Sequence, residues 1–568
     1  TFYVAPVLNP DAHGSLFASP RYRRGGNTQP IDRDVDGLVA EDGYDDLNGD
    51  GVITWMRIPD PAGSWLPHPE EPRVMVRADP LKERAGAYRM VREGRDDDGD
   101  GKYNEDGSEG VEVDRNFAHA FEYGKPEAGP WPSFAPEAKG IMDFLLAHPN
   151  VALAVVYGPA NNFLALPQSL GGGGDLGTQK FEVPPQAAEF MGLDPEQEYT
   201  LDEVWEVAKD LPFVQQNNIS KEQIAQFLGA GPATKLEDAD QKLLKHLADA
   251  YEERLEEAGI DVDRTAEQYR KGGFTPWLYY QYGVMALELD VWAVPKPEKE
   301  AEGEEGEQPL TVDRLEEMSA DEFLSLGEET VAAFLQEIGA PDRFTASMVR
   351  ERVESGQVTP EQMAGMIRQM GTAGGGGEKS AEDDDPETER ERAVLAWIDE
   401  NRPGMVAEWT SHTLPDGTEV EIGGRYPFAA LAPPLEILEP AMEQHTETVL
   451  DLAGKLGRVE IVNVEVRDLG GGVWRIRGIA TNRGFLPTHS RMAVRAEAKL
   501  PVRLRLDTGN DVELVTGYPT VSGDRLEGRE TLEGEWLVRG KEGSSVTMEV
   551  VSDASGTDRE TITLQEGV

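Results

Sequence analysis

From Val459 to the C terminus the chain alternates apolar and polar residues in short runs separated by Gly, Asp and Asn, as in Val473-Trp474-Arg475-Ile476-Arg477 and Val502-Arg503-Leu504-Arg505-Leu506. A period of two sends alternate side chains to opposite faces, so each run buries one face only. Closely spaced strands of this kind predict a β-sandwich over 457–568. The first part of the chain is patterned differently. Val151 to Tyr157 is a continuous apolar run of strand length, the signature of a strand covered on both faces. Ala135 to His148 is amphipathic and ends near Pro149, which predicts a helix with His148 as a partner for its C-terminal dipole. A helix leading into a buried strand is the grammar of an α/β fold. A second apolar run, Gly283 to Leu289, follows a segment rich in Trp and Tyr. Thr1 to Val7 also reads as a buried strand and not as a signal peptide, so the natural beginning of the protein is expected upstream.

A chain of 568 residues exceeds one ordinary core. The expected division is an α/β core over 1–175, a helical insertion over 176–260 and a core segment with the second strand over 261–295. A linker with a second helical insertion follows over 296–388, then a returning core segment with a helix over 389–456, then the sandwich. Gly171 to Gly174, Lys296 to Gln308 and Gly374 to Glu387 are the breaks that set these boundaries. No apolar run approaches the roughly 18 residues that span a bilayer. The net charge of −53 repels nucleic acid and anionic lipid, which removes both as partners. Cysteine is absent, which excludes disulfides, thiolate nucleophiles and thiolate metal ligands.

Three acidic loops carry oxygen donors at alternate positions beside glycines. Asp32, Asp34 and Asp36 precede Gly37 and are followed by Glu41; Asp96, Asp98 and Asp100 repeat the spacing and are followed by Glu105. Asp46, Asn48 and Asp50 form a third copy before Gly51. Alternate oxygens converge where a glycine turns the chain, and Ca²⁺ takes six to eight of them. The twelfth positions are Gly43, Arg57 and Gly107, so the closing bidentate Glu of an EF-hand is missing. Calcium is the expected ligand, with Glu41 and Glu105 closing two of the loops; metal-free Asx-turns are the alternative.

The order of several further motifs resembles the zinc carboxypeptidases, in particular large bacterial members with a C-terminal β-sandwich. Asn9-Pro10-Asp11-Ala12 follows the opening segment, and Asp114-Arg115-Asn116-Phe117 follows the acidic loops. Phe274-Thr275-Pro276-Trp277 precedes Tyr282 and the run Met285-Ala286-Leu287-Glu288-Leu289. The resemblance implies a carboxypeptidase-like sheet with flanking helices and zinc-dependent removal of C-terminal residues from peptides. It makes Glu288 the general base on a zinc-bound water. Arg115 would grip the substrate's carboxylate, with Asp114 where the family has Asn; Arg23 or Arg24 would stabilise the oxyanion, and Asn9 and Tyr282 would flank the substrate.

The zinc ligands are not found. A catalytic zinc takes three protein ligands. The family's His-x-x-Glu pair lies upstream of the Asn-Pro-Asp turn, where only eight residues stand here, and its third histidine falls where this chain reads Tyr157-Gly158-Pro159. His68 with Glu71 and His119 with Glu122 match His-x-x-Glu by accident, the first in a Pro-rich loop. Three readings follow: a carboxypeptidase-family enzyme completed by upstream sequence, an inactive relative that binds peptide C-termini or cell-wall peptides, and a calcium-stabilised structural or adhesion protein. An extracellular or periplasmic location is expected.

Overall fold

The computed structural model describes the chain apart from residues 34–36, 38, 40–41, 79–85, 98, 100, 105–106, 108–109, 159–160, 165–179, 184–190, 192, 194–197, 210, 212–213, 215–223, 225–235, 261, 263–269, 296–309, 311–314, 316–317, 319–322, 325, 338–344, 355–357, 359, 361–362, 364–385 and 566–568. It forms two compact units, one of Thr1–Trp65, Ala87–Pro295 and Val394–Val568, the other of Leu66–Gly86 and Lys296–Ala393. The smaller unit packs Leu310, Leu315, Phe323, Val331, Phe334 and Val353 into its own core, around the helices Glu328–Glu337 and Ala346–Glu354.

In the larger unit, strand Trp55–Pro59 lies between Tyr88–Arg92 and Glu419–Arg425, antiparallel to both, with Met56 opposite Val91 and Ile422. Glu419–Arg425 continues the sheet to Val406–Thr413. Met56, Ile58, Val420 and Ile422 are buried on one face. On Arg57 the alternation brings up a charge, and the guanidinium lies over the rings of Tyr88 and Trp409, 5.0 and 4.5 Å from their centroids, while pairing with Glu421 at 2.6 Å. Aromatic faces and a carboxylate together compensate its lost hydration.

The two apolar runs do meet. Leu153–Tyr157 and Met285–Leu289 pair in parallel, with Val156 opposite Glu288. Met285, Ala286, Leu287 and Leu289 are buried as expected, whereas Leu153 to Val156 are only half-buried. The helix Pro136–Ala147 forms as predicted, and His148 closes it by placing Nδ1 2.6 Å from the Phe144 carbonyl. The core around the parallel pair draws in Tyr251 and Leu255 from helix Asp238–Ala258 and Ala441 and Leu452 from helix Leu435–Lys455.

The opening segment differs from expectation: Thr1 to Val7 forms no strand, and Phe2 and Val4 stand 60% and 82% exposed. Its apolar residues lack a neighbouring strand to pair with, and pattern alone does not make a sheet. The region 389–456 also contains the hairpin Val406–Thr413 and Glu419–Arg425, which its composition did not signal.

The C-terminal sandwich follows the alternation closely. One sheet orders Val459–Asp468, Val473–Asn482, Thr531–Arg539 and Glu513–Thr516; the other orders Thr520–Gly523, Val502–Asp507, Ser545–Ser552 and Gly556–Thr563. Trp474, Ile476, Leu504, Leu506, Trp536, Val538, Met548 and Val550 fill one core. The whole is a mixed α and β protein with mainly antiparallel sheets. Among the described residues no helix is long and apolar enough to cross a membrane.

Candidate functional site

The segment before the Glu288 strand sets the geometry. Phe274–Trp277 forms one helical turn and Leu278–Tyr282 a π-helical turn, after which Gly283 at φ 81° reverses the chain into the strand. Only glycine takes that backbone conformation without strain. Thr275 donates its hydroxyl to Glu288 Oε2 at 3.0 Å. The Glu288 backbone N–H donates to Asn162 Oδ1 at 2.6 Å, and the Asn162 N–H returns to the Glu288 carbonyl at 3.0 Å. Asn162 therefore acts as an extra rung at the carboxyl end of the two-stranded parallel pair.

Gly158 lies over the same carboxylate. A Cβ at that position would stand 2.7 Å from Glu288 Oε1, so a side chain there forces Glu288 to move. This is the position where the family resemblance calls for a zinc-binding histidine. Among the described residues no group of three or more His, Asp or Glu is arranged to hold a metal ion. His68 Nδ1 accepts from the amides of Glu70 and Glu71 at 3.2 and 3.0 Å, and the Glu71 carboxylate pairs with Arg73 at 2.7 Å. His119 is buried and stacks on Tyr280 at 4.5 Å, while Glu122 faces Arg115 and Lys271. Among the described residues, neither His-x-x-Glu pair is arranged to hold a catalytic zinc.

Asp114 comes to the same place from a separate motif. The Phe274 N–H donates to Asp114 Oδ1 at 2.8 Å, so Asp114 and Glu288 are held by consecutive residues, Phe274 and Thr275. Neighbouring groups crowd the Asp114 carboxyl and push it upward, against the Phe274 bond and Arg270, whose Nε lies 3.9 Å away, although 47% of the side chain stays open to water. Arg270 also acts on Arg23 through its charge. Arg23 is exposed; crowding of its guanidinium, and then the charges of Arg425 and Arg270, hold it below its ordinary value. Arg270 also lies 3.8 Å from Glu112, so two carboxylates share its guanidinium.

Other expected site residues serve the scaffold. Arg115, expected to grip a substrate carboxylate, already faces Glu112 at 2.7 Å, Glu122 at 3.5 Å and Glu127 at 3.7 Å. A substrate carboxylate would be a fourth anion on one guanidinium. Arg24 is buried and donates to the carbonyls of Gly26 and Asn27 and to the Tyr22 hydroxyl, so it is not poised for an oxyanion. Asn9 caps the helix Pro10–Ser15 through the Ala12 N–H and donates to the Gly25 carbonyl. Tyr282 is buried, donates to the His148 carbonyl at 2.6 Å, and is pushed up to about 12 by burial.

Of the expected calcium ligands, Asp34, Asp36, Glu41, Asp98, Asp100 and Glu105 lie outside the described residues. Asp46 accepts from the N–H groups of Asp50 and Gly51, Asn48 from Asp50, and Asp50 from Val52. Asp32 accepts from Gly37, and Asp96 from Gly99 and Gly101. Asn48 and Asp50 thus accept at the two-residue spacing of an Asx-turn, whereas Asp32, Asp46 and Asp96 accept from amides three to five residues further on. Glu93 is fully buried beneath the third loop and takes the N–H groups of Leu47, Asn48 and Thr54.

Sequence reading missed Thr275, Asn162 and His445. The Asn161-Asn162 doublet just past Gly158 was the one local signal, since Asn side chains readily take up backbone N–H groups. His445 projects from helix Leu435–Lys455 toward the rings of Tyr157 and Tyr251, and burial lowers its ionisation despite a contact with the Val291 carbonyl. Burial lowers His489 in the same way. Both fall below the ordinary 6.5, so on acidification the unfolded chain binds protons first. Their stabilising contribution is complete above about pH 6.5 and is lost as pH falls through their folded values. The melting temperature is expected to drop between about pH 7.5 and about pH 5.5. His445→Phe should flatten that slope; an unchanged slope would remove His445 as a contributor.

Residues 458–563 match a family described as a domain of unknown function (DUF8731). No curated protein matches the chain. Solved structures that match include the GAE domain of GGA2p from Saccharomyces cerevisiae, 14% identical, covering 19% of this chain and 98% of that one, with a TM-score of 0.14. A superposition this poor supports no conclusion about fold or function.

Proposed function

We propose that the chain is a carboxypeptidase-like protein that binds the C-terminal ends of peptides without hydrolysing them. The observation that carries this reading is the junction at Phe274 and Thr275, which holds the carboxylates of Asp114 and Glu288 through adjacent bonds. Arg270, 3.9 Å from Asp114, supplies a guanidinium beside it, and Arg23 lies within the field of Arg270; guanidinium groups suit a terminal carboxylate. Glu288 and Asp114 accept hydrogen bonds, so they suit a peptide's N–H groups. Gly158 supports the absence of turnover, because the position that would carry a zinc ligand has no side chain, and one placed there would displace the Glu288 carboxylate.

Calorimetry with a short peptide as its free acid and as its C-terminal amide tests this, with added zinc and an assay for released amino acid in parallel. The acid should bind at least about tenfold more tightly than the amide, a difference of about 1.4 kcal/mol. Arg23→Ala should abolish the preference. Release of the terminal residue in the presence of zinc would replace this reading with an enzymatic one. Equal affinity for acid and amide would end the C-terminal reading altogether.

A further inference from the structure

The fully buried Asp240, in the first turn of helix Asp238–Ala258, lies far from the Asp114 and Glu288 motifs in sequence and was singled out by none of them. Its carboxylate takes the Tyr279 hydroxyl at 2.9 Å, the Arg491 N–H at 2.8 Å to both oxygens, the Met492 N–H at 3.2 Å and Arg525 Nη1 at 3.0 Å. Tyr279 belongs to the π-helical turn that feeds the Glu288 strand; Arg491, Met492 and Arg525 belong to the region matched as a domain of unknown function. One carboxylate thus joins that region to the turn.

The surrounding contacts converge on the same seam. Ser490 donates its hydroxyl to the Gly283 carbonyl at 3.0 Å. A Cβ on Gly283 would stand 2.8 Å from Ala493 Cβ and 2.9 Å from Ala498 Cβ, so the two backbones approach as closely as glycine allows. Arg495 pairs with Glu237 at 2.8 Å, and the Glu237 N–H donates to the Tyr279 hydroxyl at 3.0 Å. Arg525 is itself oriented by two bonds to Glu527 at 2.9 Å. An apolar seam would hold two surfaces together equally well; a buried ion pair with every lone pair directed fixes their register.

We propose that the surface of the C-terminal sandwich around Ser490, Arg491 and Arg525 is a docking face whose partner is the 278–283 turn of its own chain. The sandwich acts as an internal brace, and Asp240 is the positioning residue that transmits it to the Glu288 strand. This role does not depend on the peptide-binding reading, because it is read from backbone protection and not from ligand affinity.

Hydrogen exchange followed by mass spectrometry on the full chain tests the brace. Arg525→Met should speed exchange across 278–289 at least about tenfold and leave Val473–Asn482 and Thr531–Arg539 as protected as before. Arg525→Lys should restore most of the protection, because an ammonium still pairs with Asp240. If Arg525→Met fails to fold, Ser490→Ala, which deletes the bond to Gly283 together with the cap on the Ala493 N–H, should give a smaller acceleration across 278–289, about threefold, beside a local one at 491–495. Unchanged exchange at 278–289 in a folded variant overturns the brace. So does a uniform acceleration over the whole chain, or a loss confined to the sandwich.

Discussion

Asn116→Ala is expected to lower the unfolding free energy by about 3 kcal/mol, read from urea denaturation midpoints. Asn116 is fully buried. Its Nδ2 donates to the carbonyls of Ala128 at 2.7 Å and Trp131 at 3.0 Å, and its Oδ1 accepts the Ala135 N–H at 2.8 Å. Ala135 precedes helix Pro136–Ala147 and brings no capping side chain of its own, so Asn116 caps that helix from outside. Alanine would strand one donor and two acceptors, each costing about 1–3 kcal/mol before relaxation. The helix leads into strand Leu153–Tyr157, so the loss reaches the parallel pair. Asn116→Asp should rescue little, since it keeps the acceptor for Ala135 and turns a second oxygen toward two carbonyls. A loss below about 1 kcal/mol for the alanine variant would mean that the loop 126–135 is held by other contacts.

Trp536→Ala should cost about 3–5 kcal/mol, the range for truncating a large buried aromatic. The indole is fully buried, its Nε1 donates to the Tyr518 carbonyl at 2.6 Å, and its ring lies over Gly534. A Cβ on Gly534 would meet Trp536 Cη2 at 2.1 Å, so glycine at 534 is the space the ring occupies. Gly534→Val should therefore destabilise as well, by overpacking. Calorimetric melting would measure both. A Trp536→Ala variant that loses less than about 1.5 kcal/mol would show that the sandwich collapses around the void, which close-packed sheets resist.

Local pattern revealed the sandwich because its information is local: Trp474 and Ile476 point inward and Arg475 and Arg477 outward within one run. The same logic failed at Phe2 and Val4, because alternation records what a strand can bury and not whether a partner strand is there. Glu288 stood out by its apolar flanks, Leu287 and Leu289, both buried. Its holders did not, since Asn162 lies 126 residues away in the chain. Arginines posed a different difficulty. Arg23, Arg24 and Arg115 are chemically identical on paper, and only the positions of nearby carbonyls and carboxylates separate a structural guanidinium from one open to a ligand.

The sheet around Trp55–Pro59 has a consequence for the chain during its synthesis. Arg57 and Glu421, which pair across that sheet, are 364 residues apart. At about 5–20 residues per second, the ribosome adds the second partner about 20–70 s after the first. Throughout that interval Met56 and Ile58 lack the strand that covers one edge of their sheet. An unpaired strand edge beside exposed apolar residues is the usual template for aggregation. The nascent chain should thus depend on a chaperone until Glu419–Arg425 has emerged, and deleting that hairpin should send the protein to inclusion bodies and not to a smaller soluble form.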